Sequence, residues 1–169
     1  MATQRSPSNT AERLKNIKAV FLDVDGVMTD GGLFYGEKGE SLKRFHVHDG
    51  QGIQSMRSQG LQVGIISGRS HPSVSQRAKE LGVDPVFQGI GNKLECLQTW
   101  LDKAGLGLAN IAFMGDDLAD VPVLKAVGFA ATVPNAVKQA QEVSHWVSGK
   151  PGGQGAVRCF ADLFLEYGP

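Results

Sequence analysis

Four short segments of this 169-residue chain carry residue types that can do chemistry. Asp23-Val24-Asp25-Gly26 places two carboxylates two positions apart, directly after an apolar run. Ser67-Gly68-Arg69 follows another apolar run. Lys93 stands at the start of an amphipathic segment. Gly115-Asp116-Asp117 ends a further apolar run, with Asp120 close behind. Carboxylates packed together repel and resist joint ionisation. A hard divalent cation relieves this, and an all-oxygen site suits Mg2+. Such a metal pairs with phosphate oxygens, and Ser67, Lys93 and backbone N–H groups can bind the rest of a phosphoryl group. An aspartate in line with that group can act as nucleophile and form an aspartyl-phosphate. A second carboxylate two residues on, on the same side of extended chain, can protonate the leaving alcohol and then activate water. The residue types therefore point to hydrolysis of a phosphate ester.

These segments meet only if the elements carrying them share a sheet edge. Apolar runs predict strands over Lys18–Asp23, Leu61–Ser67, Val83–Gln88, Ile111–Gly115 and Phe129–Thr132, with a last short one at His145–Val147. Helices are expected between them. One is capped by Asp49 and carries Ile53 and Met56. The next is capped by Ser70 with Pro72 in its first turn and closes at Gly82. Asn92–Ala104 has a Leu94, Leu97, Leu101 stripe, with Trp100 beside it as core. The others begin at Asp120, after Pro134, and over Gly155–Glu166. Leu33–Gly36 and Glu40–Phe45 read as a hairpin (residues 32–46) inserted after the first strand. Alternating strands and helices imply an α/β fold, a doubly wound Rossmann-like parallel sheet in one domain, 1–169. In such sheets ligands bind beyond the carboxyl ends of the strands, where all four segments fall. The polar stretch 1–15 is expected to be a flexible leader.

Composition narrows the rest. The 17 basic residues balance 17 acidic ones, which argues against a generic nucleic-acid binder. No apolar run is long enough to span a membrane, and residues 1–15 lack the apolar core of a signal peptide. Cys96 and Cys159 are too few for a disulfide framework. A cytoplasmic enzyme with neither nucleic-acid nor membrane partners is expected. The 22 glycines exceed average usage. Gly26, Gly68, Gly115 and the Gly152-Gly153-Gly155 run are expected where backbone approaches a ligand.

Asp23-Val24-Asp25-Gly26-Val27-Met28-Thr29-Asp30 resembles the first motif of the haloacid dehalogenase superfamily of phosphatases. Ser67, Lys93 and Gly115-Asp116-Asp117-Leu118-Ala119-Asp120 match its second, third and fourth, in order. Phe45–Ile53, Ser67-Gly68-Arg69, Phe87-Gln88-Gly89 and Gly152–Arg158 are further similar to the branch that hydrolyses 3-deoxy-D-manno-octulosonate 8-phosphate, or KDO 8-phosphate. The resemblance implies a capless fold and a homotetramer assembled around the hairpins. It makes Asp23 nucleophile and Mg2+ ligand. Asp25 becomes general acid/base and binds the metal through its carbonyl. Asp116 is the third protein ligand, and Asp117 and Asp120 orient the metal shell. Ser67 and Lys93 hold the phosphoryl group. Arg69, Arg77 and His48 contact the sugar acid, some of them across a subunit boundary. Members often carry Arg where this chain has His48. The implied pathway is lipopolysaccharide biosynthesis.

Plainer readings stand beside these. Asp116, Asp117 and Asp120 can be helix caps, Arg77 a surface charge, and His46, His71 and His145 structural. Rival functions are a phosphatase for nine-carbon keto-deoxy sugar-acid phosphates and a non-catalytic phospho-receiver module. The D-x-D spacing, and the lack of Asp at Phe87-Gln88, disfavour the receiver.

Overall fold

The computed structural model describes residues 7–168. Helix α1 (Pro7–Leu14) occupies most of the expected flexible leader. Leu14 and Ile17 are fully buried, and the Arg13 guanidinium donates to the Gly128 carbonyl at 3.2 Å. These contacts order the segment from Pro7 on; residues 1–6 lie outside the described part.

The central strand β1 (Ala19–Leu22) is four fully buried apolar residues, as a strand covered on both faces requires. The chain leaves it through a tight loop and the antiparallel hairpin β2 (Phe34–Gly36) and β3 (Gly39–Leu42). It then forms α2 (Val47–Ser58), β4 (Gln62–Ile66), α3 (Pro72–Leu81) and β5 (Val86–Phe87). Helix α4 (Lys93–Ala104) leads back across the sheet to β6 (Ile111–Met114). Helix α5 (Val121–Ala126), β7 (Phe129–Thr132), α6 (Lys138–Val143), β8 (Trp146–Val147) and α7 (Ala156–Tyr167) complete the chain.

The six-stranded sheet runs β5-β4-β1-β6-β7-β8, every pair parallel. The chain winds outward from β1 to β5, then restarts beside β1 at β6 and winds the other way. The expected doubly wound fold is thus present, and its switch point lies at the carboxyl end of β1. Leu22 pairs with Ile65 on one side and Met114 on the other, so Asp23, Ser67 and Asp116 emerge at one edge. Phe21, Phe113, Phe129 and Phe160 are fully buried, and Trp100 packs edge-on against Phe21 with ring centroids 4.9 Å apart. Each buried Phe is worth roughly 1.5–3 kcal/mol, which keeps this edge stiff.

Several helix starts differ from expectation. His46, not Asp49, caps α2: its Nδ1 accepts from His48 N at 3.2 Å. Asp49 is buried instead, accepting from Arg158 N at 2.9 Å and tying α2 to the start of α7. His71, not Ser70, caps α3 by accepting from Ser73 N at 3.2 Å. The third strand is only two residues, because Pro85 brings no N–H to the ladder. Gly82 closes α3 as expected, and Gly105 closes α4 in the same left-handed conformation.

Candidate active site

Asp23 continues the β1–β6 ladder, its N–H donating to the Met114 carbonyl at 2.9 Å. The backbone then turns sharply at Gly26, where φ is +89°. A Cβ there would lie 2.0 Å from Asp116 Oδ2, so a bare α-carbon is what lets the two acidic loops meet. On the facing loop, the Gly115 carbonyl accepts from the Thr132 hydroxyl at 2.6 Å, and Asp116 O accepts from Val137 N at 2.9 Å. Both loops are pinned by the sheet.

Asp23, Asp116 and Asp120 offer carboxylate oxygens all within 4.8 Å of one another. Lys93 reaches them from the first turn of α4. Its Nζ is 2.9 Å from Asp23 Oδ1 and 2.6 Å from Asp120 Oδ1, with only 3% of the residue exposed. Asp120 is fully buried, and its Oδ2 accepts from Asp116 N at 2.9 Å and Asp117 N at 3.1 Å. It braces the loop rather than capping α5. Asp116 Oδ1 is buried without a hydrogen-bond partner among the described residues.

Three carboxylates thus face one ammonium, and the charge does not balance. Burial and the Asp120 carboxylate raise Asp23 to about 7, against the pull of Lys93. Burial, then the Asp23, Asp120 and Asp117 charges, raises Asp116 to about 8. Burial would by itself lower Lys93, but Asp23 and Asp120 outweigh it and the net shift is upward. A cluster that resists its own ionisation and holds an orphaned oxygen fits a divalent cation. Asp23 and Asp116 have the oxygens to hold it, whereas both oxygens of Asp120 are already engaged.

Asp25 lies outside that cluster. Its Oδ1 accepts from Lys43 Nζ at 2.6 Å, and its Oδ2 is buried with no hydrogen-bond partner. Lys43 also donates to Glu40 Oε1 at 2.6 Å, and Arg69 Nη2 donates to Glu40 Oε2 at 2.7 Å. Lys43 and Arg69 together hold Glu40 down at about 2. Arg69 Nε stands 3.8 Å from Asp25 Oδ2, beyond hydrogen-bond reach.

The other expected residues divide. Ser67 is buried at the same sheet edge, its Oγ accepting from Arg69 N at 3.3 Å. Asp117 is exposed and accepts from Leu118 N at 2.7 Å, so it caps the tight turn before α5. His48 is exposed, its ring edge-on to His46. Arg77 pairs with Glu80 at 3.3 Å and lies against Gly50 in α2. Neither His48 nor Arg77 contacts the carboxylate cluster within this chain.

The glycine run makes close backbone contacts of its own. A Cβ on Gly152 would lie 1.8 Å from the Gly26 carbonyl oxygen, and one on Gly153 would lie 2.4 Å from Asp30 N. Gly152 and Gly153 pack on the loop that carries Asp23 and Asp25. Asn135 joins them, donating to Gly26 O at 3.1 Å and accepting from Gly152 N at 2.8 Å. Asn135, Thr29, Lys43 and Glu40 escaped the sequence reading. Thr29 alone stood within a quoted motif; its hydroxyl accepts from Gly31 N at 3.2 Å.

A family profile for haloacid dehalogenase-like hydrolases matches residues 48–128. The 3-deoxy-D-manno-octulosonate 8-phosphate phosphatase KdsC of Salmonella typhi is 38% identical over 167 residues, 98% of this chain and 89% of that protein. Its counterpart in Escherichia coli K12 is 39% identical over 153 residues, 90% of this chain and 81% of that protein. The Moraxella catarrhalis phosphatase of the same name, crystallised with magnesium, phosphate and KDO, superposes with a TM-score of 0.94 at 38% identity, covering 96% of this chain and 94% of that one. A cobalt-bound Haemophilus influenzae phosphatase gives 0.88 at 37% identity, covering 92% and 91%. With near-complete coverage at such identity, and with the acidic loops and the buried lysine meeting at the sheet's switch point, the chain belongs to the haloacid dehalogenase-like hydrolases, among their phosphatases.

Proposed function

We propose that this chain is a Mg2+-dependent phosphatase that releases phosphate from KDO 8-phosphate through an aspartyl-phosphate on Asp23, in the supply of KDO for lipopolysaccharide. The observation that carries the chemistry is the buried Asp23–Lys93–Asp120 set beside the orphaned Asp116 oxygen. The substrate rests on the relatives' names and on the KDO and phosphate in the Moraxella catarrhalis structure.

Asp23 and Asp116, with the main-chain carbonyl of Asp25, are the residues that would hold Mg2+. When bound, the ion supplies the positive charge that lets these acids ionise together and draws electrons from a phosphoryl oxygen. The Asp23 carboxylate forms a bond to phosphorus as the bond from phosphorus to the sugar oxygen breaks. The Asp25 carboxyl gives its proton to that oxygen, releasing the alcohol. Asp25 then takes a proton from water, which attacks phosphorus and frees the Asp23 carboxylate and inorganic phosphate. Lys93 balances charge on the transferring group, and Asp120 holds Lys93 in place. Ser67 holds the remaining phosphoryl oxygen. Charge stabilisation and alignment are most of what such a transition state needs.

Arg69 faces the sugar acid from the same chain. His48 and Arg77 contact substrate from a neighbouring subunit, because neither meets the carboxylates within its own chain. A homotetramer built on the hairpins supplies that neighbour. Leu33, Phe34, Tyr35 and Leu42 are 43–66% exposed there, an apolar ribbon suited to self-association. The half-buried free thiols of Cys96 and Cys159 suit the cytoplasm.

Phosphate release is the test. KDO 8-phosphate, a nine-carbon keto-deoxy sugar-acid phosphate and simple monoesters are compared with Mg2+ and with EDTA. The expected preference for KDO 8-phosphate in kcat/KM is at least ~10²-fold, the scale of discrimination between near-isosteric substrates. Equal rates on all substrates would remove the substrate assignment, and EDTA-resistant turnover would remove the metal.

A further inference from the structure

The hairpin brings charged groups onto Asp25 that the fold alone does not require. Lys43 lies just past the end of β3 with its side chain only 2% exposed, and it donates to Asp25 Oδ1 and Glu40 Oε1, each at 2.6 Å. Glu40, on β3, is held from its other oxygen by Arg69 at 2.7 Å. Asp25 and Glu40 are acids, Lys43 and Arg69 bases, so this group of four balances its charge, unlike the acid-rich cluster around Lys93. A buried ammonium is costly unless it is paired and hydrogen-bonded. Here both partners are specific, and one of them is Asp25.

We propose that Lys43 and Glu40 are positioning residues for proton transfer by Asp25. Lys43 fixes Oδ1, which leaves Oδ2 as the oxygen presented to the leaving group. Oδ2 is also the oxygen that is buried with no hydrogen-bond partner among the described residues. A carboxyl free at both oxygens would rotate about its bond to Cβ, whereas a bond of 2.6 Å to a buried ammonium fixes its plane. Glu40 acts one step further out: it holds Lys43 at the distance Asp25 needs and is itself anchored by Arg69. The hairpin thereby aligns the residue that protonates the leaving alcohol, and no hairpin residue needs to touch phosphorus. In the step served, the Asp25 Oδ2 proton passes to the bridging ester oxygen as the phosphorus–oxygen bond to the alcohol breaks and the bond from Asp23 forms.

The proposal rests on the assignment of Asp25 as acid, so the test separates the two. Alcohol release in the first turnover isolates the step that needs the proton. It is measured for the Mg2+-loaded enzyme with two leaving groups. A primary alkyl phosphate needs a proton on its departing oxygen; p-nitrophenyl phosphate leaves as a stable anion without one. K43M is expected to slow alkyl release by ~10²-fold, the lower end of what general acid catalysis contributes, and aryl release by under ~5-fold. K43R, which restores a donor, should recover most of the alkyl rate. E40Q, which keeps the ammonium but loosens its anchor, should show the same selectivity at smaller size, and it covers the case in which K43M does not fold. Equal losses on both substrates in K43M and E40Q would mean a structural role and overturn the proposal. D25N is the reference. If D25N slows the two substrates alike, the acid assignment fails and the proposal falls with it. If D25N discriminates between them and the Lys43 and Glu40 variants do not, the assignment stands and only the proposal falls.

Discussion

Asp23 is held by the sheet, whereas Asp25, two residues later, is held by the hairpin. Asp23 sits in the β1–β6 ladder at 6% exposure, among acids that outnumber its one cation. Asp25 turns the other way, to a lysine and an arginine that match two acids one for one. One acid is thus placed where negative charge is in excess, and the other where it is balanced. Under the proposed chemistry, the first side prepares a nucleophile for a cation and the second fixes the orientation of Asp25. A single loop serves both because the bare α-carbon of Gly26 lets it turn tightly against Asp116, and the Gly152-Gly153 pair supports it from behind.

The sheet side should be the more sensitive. Asp23→Asn keeps the shape of the residue and its place in the ladder but removes the nucleophile. Turnover should fall by at least ~10⁴-fold, the scale seen when a nucleophile is deleted. Circular dichroism should show the fold intact. Acid-quench trapping with labelled substrate should give a protein-bound phosphate in the parent and none in the variant. Label retained by the variant would move the nucleophile elsewhere.

The unequal standing of the two sides also explains what sequence could reveal. Asp23, Ser67, Lys93 and Asp116 each follow an apolar run or open a helix, and a parallel sheet carries such positions to one edge whatever its details. The strand pattern therefore predicted their convergence. Lys43 and Glu40 were invisible because nothing local marks them. Their partners are Asp25 and Arg69, and only the folded hairpin brings them there. The histidine caps were missed for a related reason. Ser, Thr, Asp and Asn dominate such positions, so Asp49 and Ser70 drew attention away from His46 and His71. The glycine run was legible, but its packing on the Gly26–Asp30 loop was not, since close approach to a ligand and close approach to a loop leave the same trace in sequence.

Charge excess on the sheet side predicts a coupled dependence on pH and metal. In the unfolded chain both aspartates titrate near 3.8, but in the folded metal-free protein Asp23 keeps its proton to about 7 and Asp116 to about 8. Between these limits the folded state binds more protons than the unfolded one, so stability falls as pH rises. The contribution is fully present below pH ~4 and lost once pH passes ~8. Mg2+ binds the ionised acids and offsets the loss. In EDTA, Tm should therefore drop between pH 5.5 and 8.5, by roughly 2–4 °C for each kcal/mol lost. With Mg2+ the curve should be flatter, and the gap between the two should widen with pH. A gap that stays constant would show that the cation does not act by relieving this repulsion.

The smallest effect belongs to adjacent acids on one loop. Asp116 is half-buried, strongly shifted and has an orphaned oxygen; Asp117 is exposed and spends its Oδ1 on Leu118 N. The family resemblance makes Asp116 a ligand and Asp117 a support to the metal shell, and the structure gives Asp117 the position of a cap. Asp117→Ala should lower stability by about 1 kcal/mol, the usual value of a cap, and leave kcat within ~3-fold, well inside the loss expected for a group that meets the transition state. Asp116→Ala should instead abolish the Mg2+-dependent rise in Tm. Thermal unfolding with and without Mg2+, beside steady-state rates, distinguishes the two. A large loss of rate at Asp117 with the cap's stability effect absent would mean that it turns inward when the cation binds. The division between a buried acidic cluster and an exposed rim would then have to be drawn one residue further along the loop.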